Sequence, residues 1–248
     1  MAPKPLYIEG PVGPLETFLS VPSGGSENAP LLLLCHGLPL NREGSRTAAL
    51  QLPELGERLA AESGWAVGVA SLRGVGQSPG TFSASGWKED LSCVIASLRD
   101  GRHPIVLAGF GIGGALALRV ASESDDVRGV AIFATPSNLS GWCGSEEEFA
   151  QSCERAGVIG SEALLGPKEL LADVLALDPR GAAEGIPPKR MMIVHGSNDA
   201  IVPVSAAREL LEAADGHGEL RIIQGAGHWL RADPRMFATL LGWLDRQL

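Results

Sequence analysis

Short apolar segments recur along the chain and alternate with segments of helical periodicity. Strand-sized runs occur at residues 6–9, 15–21, 30–35, 65–71, 104–108, 127–134, 191–194 and 220–223. Between and after them, apolar residues at helical spacing form one-sided stripes, as in Leu91, Val94, Ile95 and Leu98 or in Phe237, Leu240, Leu241 and Leu244. Continuous apolar strands that alternate with such helices predict an α/β fold, with a mostly parallel central sheet flanked by helices.

The alternation is interrupted once, between residues 135 and 188. Roughly fifty residues intervene there, far more than a simple connection needs. Two amphipathic segments lie inside, at residues 145–157, where the first turn is acidic, and at residues 167–177, which a proline opens. We therefore expect a single domain over residues 1–248 with a small helical cap insertion at about 136–188, above the sheet edge where open α/β sheets bind ligands.

The composition excludes several classes of function. The 20 basic and 29 acidic side chains give a formal charge of −9, and without a basic patch we expect no nucleic acid partner. The longest dense apolar run, residues 29–35, is too short for a membrane helix, so we expect no membrane partner either. The first residues contain no apolar segment of a secretory signal, which favours a cytoplasmic location.

The four cysteines do not form a recognisable metal or disulfide pattern. Cys35, Cys93, Cys143 and Cys153 include no CxxC pair and have no nearby histidine spacing. We interpret them as reduced, mostly buried thiols and expect no bound metal.

Residues 105–116 contain the most informative motif of the chain. An apolar strand runs into a turn with Gly109, Gly111 and Gly113, and a helix follows. The nucleophile elbow of α/β-hydrolases has this layout, with glycines flanking a nucleophile on a tight turn. In this sequence the central position is Gly111.

Further segments strengthen the resemblance. Residues 194–203 resemble the strand and loop that carry the catalytic acid, with Asp199 in its place, and residues 224–228 resemble the histidine loop, with His228. The order of elbow, acid and histidine also agrees. His36 to Pro39 resembles the oxyanion-hole turn, and residues 73–78 match the pattern RGxGxS. Over nearly its whole length the chain is similar to small serine esterases and peptidases of the α/β-hydrolase superfamily.

The resemblance implies a site. Asp199 and His228 would form the acid and histidine pair, and the backbone N–H groups of Leu38 and Ile112 would form the oxyanion hole. The ligand would be a small ester, amide or carboxylate, and no cofactor is implied. Gly111 would stand at the nucleophile position.

Gly109, Gly111 and Gly114 also match GxGxxG, the pattern of a dinucleotide-binding turn. Such a turn belongs in the first βαβ unit, with an acidic residue at the tip of the next strand. Here the motif follows several strands, and the next strand ends in Thr135 and Pro136. We therefore favour the hydrolase interpretation.

Four aromatic or imidazole side chains near these motifs have plainer interpretations. We expect His195 to pack at the end of its strand and His36 to shape its turn rather than transfer protons. Trp142 and Trp229 could line a pocket, although packing is the simpler role for each.

No other side chain is a good substitute for the absent nucleophile. Ser71, Ser78 and Cys35 are expected near the rim of the site, but none occupies an elbow. Because loss of the nucleophile costs on the order of 10⁶ in turnover, ordinary serine hydrolase activity is expected to be absent or altered.

Three explanations of Gly111 stay open at this point. The protein could be a pseudo-hydrolase that binds a ligand or partner without catalysis, as the N-myc downstream-regulated family is similar in placing glycine here. It could be an enzyme in which His228 activates water or abstracts a substrate proton. It could also be a serine hydrolase that carries a Ser-to-Gly substitution.

Overall fold

The protein folds around an eight-stranded, mostly parallel sheet. The computed structural model describes residues 4–25, 29–39, 42–99, 101, 103–159 and 163–247, without the side chains of residues 42–50. The strand order is β1-β2-β4-β3-β5-β6-β7-β8, in which β2 runs antiparallel to β1 and β4 and the other pairs are parallel. The strands are β1 (Leu6–Gly10), β2 (Gly13–Ser20), β3 (Leu31–Cys35), β4 (Ala66–Ala70), β5 (Ile105–Phe110), β6 (Val127–Phe133), β7 (Arg190–Gly196) and β8 (Glu219–Ile223). The predicted α/β class, with a mostly parallel sheet flanked by helices, is confirmed.

The helices connect the strands and cover both faces of the sheet. They are α1 (Arg42–Ser63), α2 (Ala84–Leu98), α3 (Ile112–Glu123), α4 (Leu139–Cys143), α5 (Glu146–Ala156), α6 (Pro167–Leu175), α7 (Pro179–Glu184), α8 (Ser205–Ala213) and α9 (Pro234–Asp245), with a 3₁₀ turn at Leu230–Ala232. Helix α1 is not among the predicted elements, and it contains Pro53, which interrupts the helical composition. None of the helices in the described part of the chain is long and apolar enough to cross a membrane.

The two faces of the sheet form two cores because side chains alternate along each strand. On β3, Leu31 and Leu33 contribute to the core under α2 and α3, whereas Leu32 and Leu34 face α1 and α9. The predicted stripes take part in these cores, since Leu91, Val94 and Ile95 are buried on one side and Phe237, Leu240 and Leu244 on the other.

The segment between β6 and β7 contains α4, α5, α6 and α7, and its residues 160–162 lie outside the described part. Helix α5 begins with a capping box between Ser145 and Glu148 and ends at Gly157 in the left-handed conformation. Helices α5 and α6 pack on each other, whereas α7 packs on α3, one of the helices that flank the sheet.

The cysteines are free thiols, and three of the four are buried. Burial raises the pKa of the Cys35 thiol to about 12, which keeps it protonated and unreactive. Within the described residues, no group of three or more His, Cys, Asp or Glu side chains could hold a metal ion.

Candidate active site

The predicted site residues come together at the carboxyl edge of the sheet. Leu38 follows β3, Gly111 follows β5, Asp199 follows β7 and His228 follows β8. Parallel pairing of β3, β5, β6, β7 and β8 places these strand ends along one edge. This is the edge at which open α/β sheets form their sites.

Gly111 has the backbone geometry of an elbow. Its φ of 57° and ψ of −123° lie in a region that glycine enters freely and other residues only under strain. Its N–H donates to the carbonyl of Phe133, at 2.9 Å, which fixes the turn against β6. A Cβ built on Gly111 would lie 3.9 Å from Nε2 of His228 and within 4 Å of no other described atom outside its chain neighbours. The turn therefore has room for a side chain that would face the imidazole.

At the other glycines of the turn, neighbouring atoms leave no space for a Cβ. A Cβ on Gly109 would come within 2.2 Å of the Gly113 carbonyl oxygen, and one on Gly113 within 2.2 Å of the His36 carbonyl oxygen. A Cβ on Gly114 would overlap the Thr135 hydroxyl at 1.9 Å. These glycines let α3 approach β5 and the turn after β3 closely, whereas no such contact requires glycine at position 111.

Asp199 and His228 form a hydrogen-bonded pair. Nδ1 of His228 lies 2.8 Å from Oδ2 of Asp199, whose side chain is fully buried. Oδ1 of Asp199 accepts the N–H groups of Ile201 and Val202, each at 2.9 Å. Because an ionised carboxylate only accepts hydrogen bonds, Nδ1 of His228 must donate. In the neutral imidazole, Nε2 is then the nitrogen without a proton and can act as a base toward the elbow.

The interpretation of His195 as a packing residue is incomplete. This fully buried side chain lies at the end of β7, as expected, but its Nε2 is 3.2 Å from Oδ2 of Asp199 and 3.0 Å from the Val202 carbonyl oxygen. Burial lowers the pKa of His195, so the ring is neutral and its single proton is on Nε2, facing these two acceptors. Its Nδ1 is buried without a partner among the described atoms. His195 thus supports the carboxylate that holds His228, a contact that depends on the fold of the loop and has no signal in the sequence.

The turn after β3 is held by His36, as predicted. Nε2 of His36 accepts the N–H of Leu72 at 3.1 Å, and Nδ1 lies 3.0 Å from the Gly37 carbonyl oxygen. Burial lowers the pKa of His36 to about 4, which keeps the ring neutral. The turn brings Leu38 to the same cleft as Ile112, the first residue of α3.

A cleft of about 240 Å³ opens above Gly111. Its wall is largely apolar and is formed by Gly37, Leu38, Pro39, Phe110, Gly111, Ile112, Phe133, Trp142, Ile201, His228, Trp229, Leu230 and Arg231. Trp142 reaches it from α4, so the inserted segment does contribute to the wall, but it does not fill the cleft. Leu164, another apolar side chain of the inserted segment, is 90% exposed and does not line the cleft.

Trp142 and Trp229 both line the cleft, so packing alone does not describe them, although Trp142 also packs against the core and meets the Phe149 ring, as expected. Trp229 is 48% exposed and its ring meets that of His228 edge to face. Arg231, which belongs to none of the sequence motifs, also lines the cleft. Its position follows from the 3₁₀ turn after the histidine loop.

The residues considered as replacement nucleophiles are engaged away from the cleft. Ser71 donates to the Glu16 carboxylate at 3.3 Å, and Ser78 donates to the Ser71 carbonyl oxygen at 2.6 Å while it accepts the Glu16 N–H. Neither serine nor Cys35 lines the cleft, so the expectation that they lie at its rim is wrong. They stabilise the start of the loop after β4 and the centre of the sheet.

Comparison with known proteins agrees with the fold. The sequence model of the Alpha/beta hydrolase family matches residues 32–240, whereas no curated protein matches the chain. An alpha-beta serine hydrolase homologue from Coxiella burnetii is 20% identical, with a TM-score of 0.65 over 100% of this chain and 98% of the other. The monoacylglycerol lipase of Paleococcus ferrophilus is 19% identical, with a TM-score of 0.68 over 94% and 99%. A bromoperoxidase from Bacillus anthracis is 20% identical, with a TM-score of 0.67 over 98% and 99%. The family match spans most of the sequence, and the chain therefore belongs to the alpha/beta hydrolase family.

Proposed function

We propose that the protein is a hydrolase of small esters or amides that works without a covalent acyl-enzyme, with His228 as the general base that activates water. One observation carries the proposal: the Asp199–His228 pair is intact and directs Nε2 at an elbow that has space but no hydroxyl. A scaffold that only binds has no need of this hydrogen-bonded pair.

Gly111 removes the covalent route. Acyl transfer through serine requires an activated hydroxyl at the elbow, and glycine supplies none. Ser71 and Ser78 are held in the network with Glu16 and do not line the cleft. What remains is the contribution of binding, the oxyanion donors and a general base, worth roughly 10³-fold over water in triad enzymes that lack their nucleophile.

The proposed reaction is a direct attack of water on the carbonyl carbon. Water would occupy the space between Gly111 and His228, and its oxygen would bond to the substrate carbon as Nε2 takes its proton. The N–H groups of Leu38 and Ile112 would stabilise the negative charge that develops on the carbonyl oxygen, together with the positive N-terminal end of α3. The tetrahedral intermediate then expels the alcohol or amine, which receives the proton from His228, and a carboxylic acid is released.

Asp199 and His195 would keep His228 oriented, with its proton on Nδ1. The carboxylate holds Nδ1–H of His228 at 2.8 Å and stabilises the imidazolium that forms during the attack. His195, at 3.2 Å from the same oxygen, limits rotation of the carboxylate. Both groups act through His228 and do not line the cleft themselves.

The cleft favours a small and mostly apolar substrate. Its volume of about 240 Å³ is below the roughly 300–1,000 Å³ of sites for drug-sized ligands. The apolar walls exclude water from most of the bound molecule, which strengthens the hydrogen bonds to the reacting carbonyl. Short acyl esters are therefore the first substrates to examine.

The test is steady-state hydrolysis of short activated esters by the unmodified protein and by two variants. His228→Ala and Asp199→Asn are each expected to lower kcat by about 10²-fold or more, the usual contribution of a general base and its support. The control is His217→Ala, which removes an imidazole outside the cleft whose Nε2 lies 2.8 Å from the Lys189 carbonyl oxygen. Absent turnover would contradict the proposal and leave a pseudo-hydrolase that only binds. Turnover that is the same in His228→Ala would contradict the assignment of His228 as the general base.

A further inference from the structure

Arg231 is a cation in the cleft wall that the proposed hydrolysis does not use. Of the described residues that line the cleft, two carry ionisable side chains, His228 and Arg231. The half-buried guanidinium lies 5.5 Å from the centre of the Trp229 ring. Arginine on an aromatic face is held in place while its N–H groups stay available for another partner.

Two carboxylates of the loops around this cleft already have partners. Asp233, two residues further along, binds Arg235 through both of its oxygens, at 3.0 and 2.7 Å. Asp199 binds the two histidines. Within the described part of the chain, the Arg231 guanidinium has no hydrogen bond or ion pair, its ring contact with Trp229 aside. Burial without a counter-charge lowers its pKa, although an arginine stays charged at neutral pH.

A guanidinium that has lost part of its hydration and has no counter-charge is less stable than a fully hydrated one. A bound anion would replace the lost interactions. The protein has a formal charge of −9, whereas Arg231 contributes a positive charge to the wall of this cleft. An anionic ligand would be attracted there and would form charge-assisted hydrogen bonds, about twice as strong as neutral ones.

We infer that Arg231 selects substrates that carry a carboxylate in addition to the reacting carbonyl, such as the half-ester or half-amide of a short dicarboxylic acid. This rests on the proposed function only in that both use the same cleft. A carboxylate suits the site better than a phosphate because one guanidinium balances one negative charge, and a second charge would stay unpaired against apolar walls. The carbonyl would lie at Leu38 and Ile112, and the carboxylate at Arg231.

The inference is tested by binding, so that it does not depend on turnover. The probes are methyl ketones that cannot be hydrolysed and that carry a terminal carboxylate, a matched primary amide or a matched phosphonate, with linkers of two to six methylene groups. Calorimetry measures Kd for each probe with the unmodified protein. For the best linker, we expect the carboxylate to bind at least about tenfold tighter than the amide, the ratio expected for one charge-assisted contact.

Substitutions then assign the preference to one side chain. Arg231→Gln is expected to bring the carboxylate and amide to equal Kd values, whereas Arg231→Lys, which keeps the charge but not the planar fork, retains part of the difference. Arg221→Gln changes the net charge equally at an exposed arginine outside the cleft, and should leave the preference unchanged.

The outcomes separate this inference from the proposed hydrolysis. If His228-dependent turnover is absent but the Arg231-dependent preference is present, the hydrolysis proposal fails and the ligand assignment stands. Equal binding of carboxylate and amide to the unmodified protein, or a preference that persists in Arg231→Gln, would overturn the ligand assignment. Phosphonate binding tighter than carboxylate would overturn the choice of carboxylate.

Discussion

The turn between β5 and α3 and the loops after β7 and β8 meet at one cleft but are built in opposite ways. At the turn, three glycines are needed because backbone or hydroxyl atoms would lie within 2.2 Å of a Cβ, and the fourth, Gly111, has free space toward His228. In the loops, the Asp199 carboxylate is fully buried and accepts two backbone N–H groups while it contacts two imidazoles. One region lacks a side chain where there is room for it, and the other holds its side chains in a dense network.

The difference separates two parts of hydrolase chemistry that are usually found together. The elbow supplies backbone geometry and the N-terminus of α3, neither of which depends on the side chain at position 111. The two loops supply an oriented base. This combination favours proton transfer to and from water and excludes attack by a serine at the elbow, which is the basis of the proposed function.

The largest change in activity is expected when a hydroxyl is placed at the elbow. Gly111→Ser is expected to raise hydrolysis of short activated esters by about 10³-fold or more, because a serine at this point regains a nucleophile beside an oriented base. Steady-state kinetics measure the gain. The added His228→Ala substitution should remove it, and a well-folded variant that shows no gain would contradict the inferred geometry of elbow and base.

Removal of the negative charge from the loop network is expected to have the next largest effect. Asp199→Asn keeps the size of the side chain but no longer holds His228 in the correct tautomer, and we expect kcat to fall by about 10²- to 10⁴-fold. His195→Gln, which can still donate a hydrogen bond, should lower kcat less than Asp199→Asn. Equal losses in the two variants would show that His195 matters more than a supporting contact explains.

His36, in the turn after β3, makes the free energy of unfolding depend on pH. The pKa of His36 is about 4 in the folded protein against an ordinary value of 6.5, because burial disfavours the charged ring. The unfolded chain therefore binds more protons between these values, and this contribution to stability, complete above pH 6.5, decreases as pH falls toward 4. We expect the free energy of unfolding to drop by about 3 kcal/mol over that range from this group.

Denaturant unfolding at several pH values measures the effect. His36→Gln is the control, since its amide oxygen can accept the Leu72 N–H without titrating. The variant should have a flatter pH profile between 4 and 6.5 than the unmodified protein. Parallel profiles would mean that His36 is not the group responsible.

Replacement of different glycines in the elbow is expected to lower the free energy of unfolding by different amounts. Gly111→Ala places a methyl group in open space and pays only for its backbone conformation, about 1 kcal/mol or slightly more. Gly113→Ala forces a methyl group toward the His36 carbonyl oxygen and should cost about 3 kcal/mol. Thermal unfolding of both variants measures the difference, and equal costs would contradict the free space at Gly111.

Much of the fold could be predicted because it depends on local pattern. The apolar strands, the stripes on α2 and α9 and the capped helix α5 each have a signal within a few residues of sequence. Helix α1 was missed although Leu52, Leu55 and Leu59 are buried at helical spacing, because Pro53 indicates a break. The short helix α7 has too few residues to show a period.

Only the site residues that stand in a sequence motif could be predicted. Gly111, Asp199 and His228 stand in segments that resemble family motifs, and the structure brings them together. The contact of His195 with Asp199, the exposure of Trp229 and the unpaired Arg231 depend on how separate loops fold over one another. Nothing in the local sequence distinguishes Arg231 from Arg221 or Arg235, which lie near it in the chain but outside the cleft.

Intact-protein mass spectrometry tests most directly whether His228 activates water without an acyl-enzyme. The unmodified protein and Gly111→Ser are mixed with a short activated ester and quenched in acid during turnover, and parallel samples are treated with a fluorophosphonate. For the unmodified protein we expect product formation with an unchanged protein mass and no fluorophosphonate adduct. For the variant we expect an adduct at the introduced serine. An acyl or phosphonyl adduct on any residue of the unmodified protein, formed at the rate of turnover, would contradict the proposed reaction.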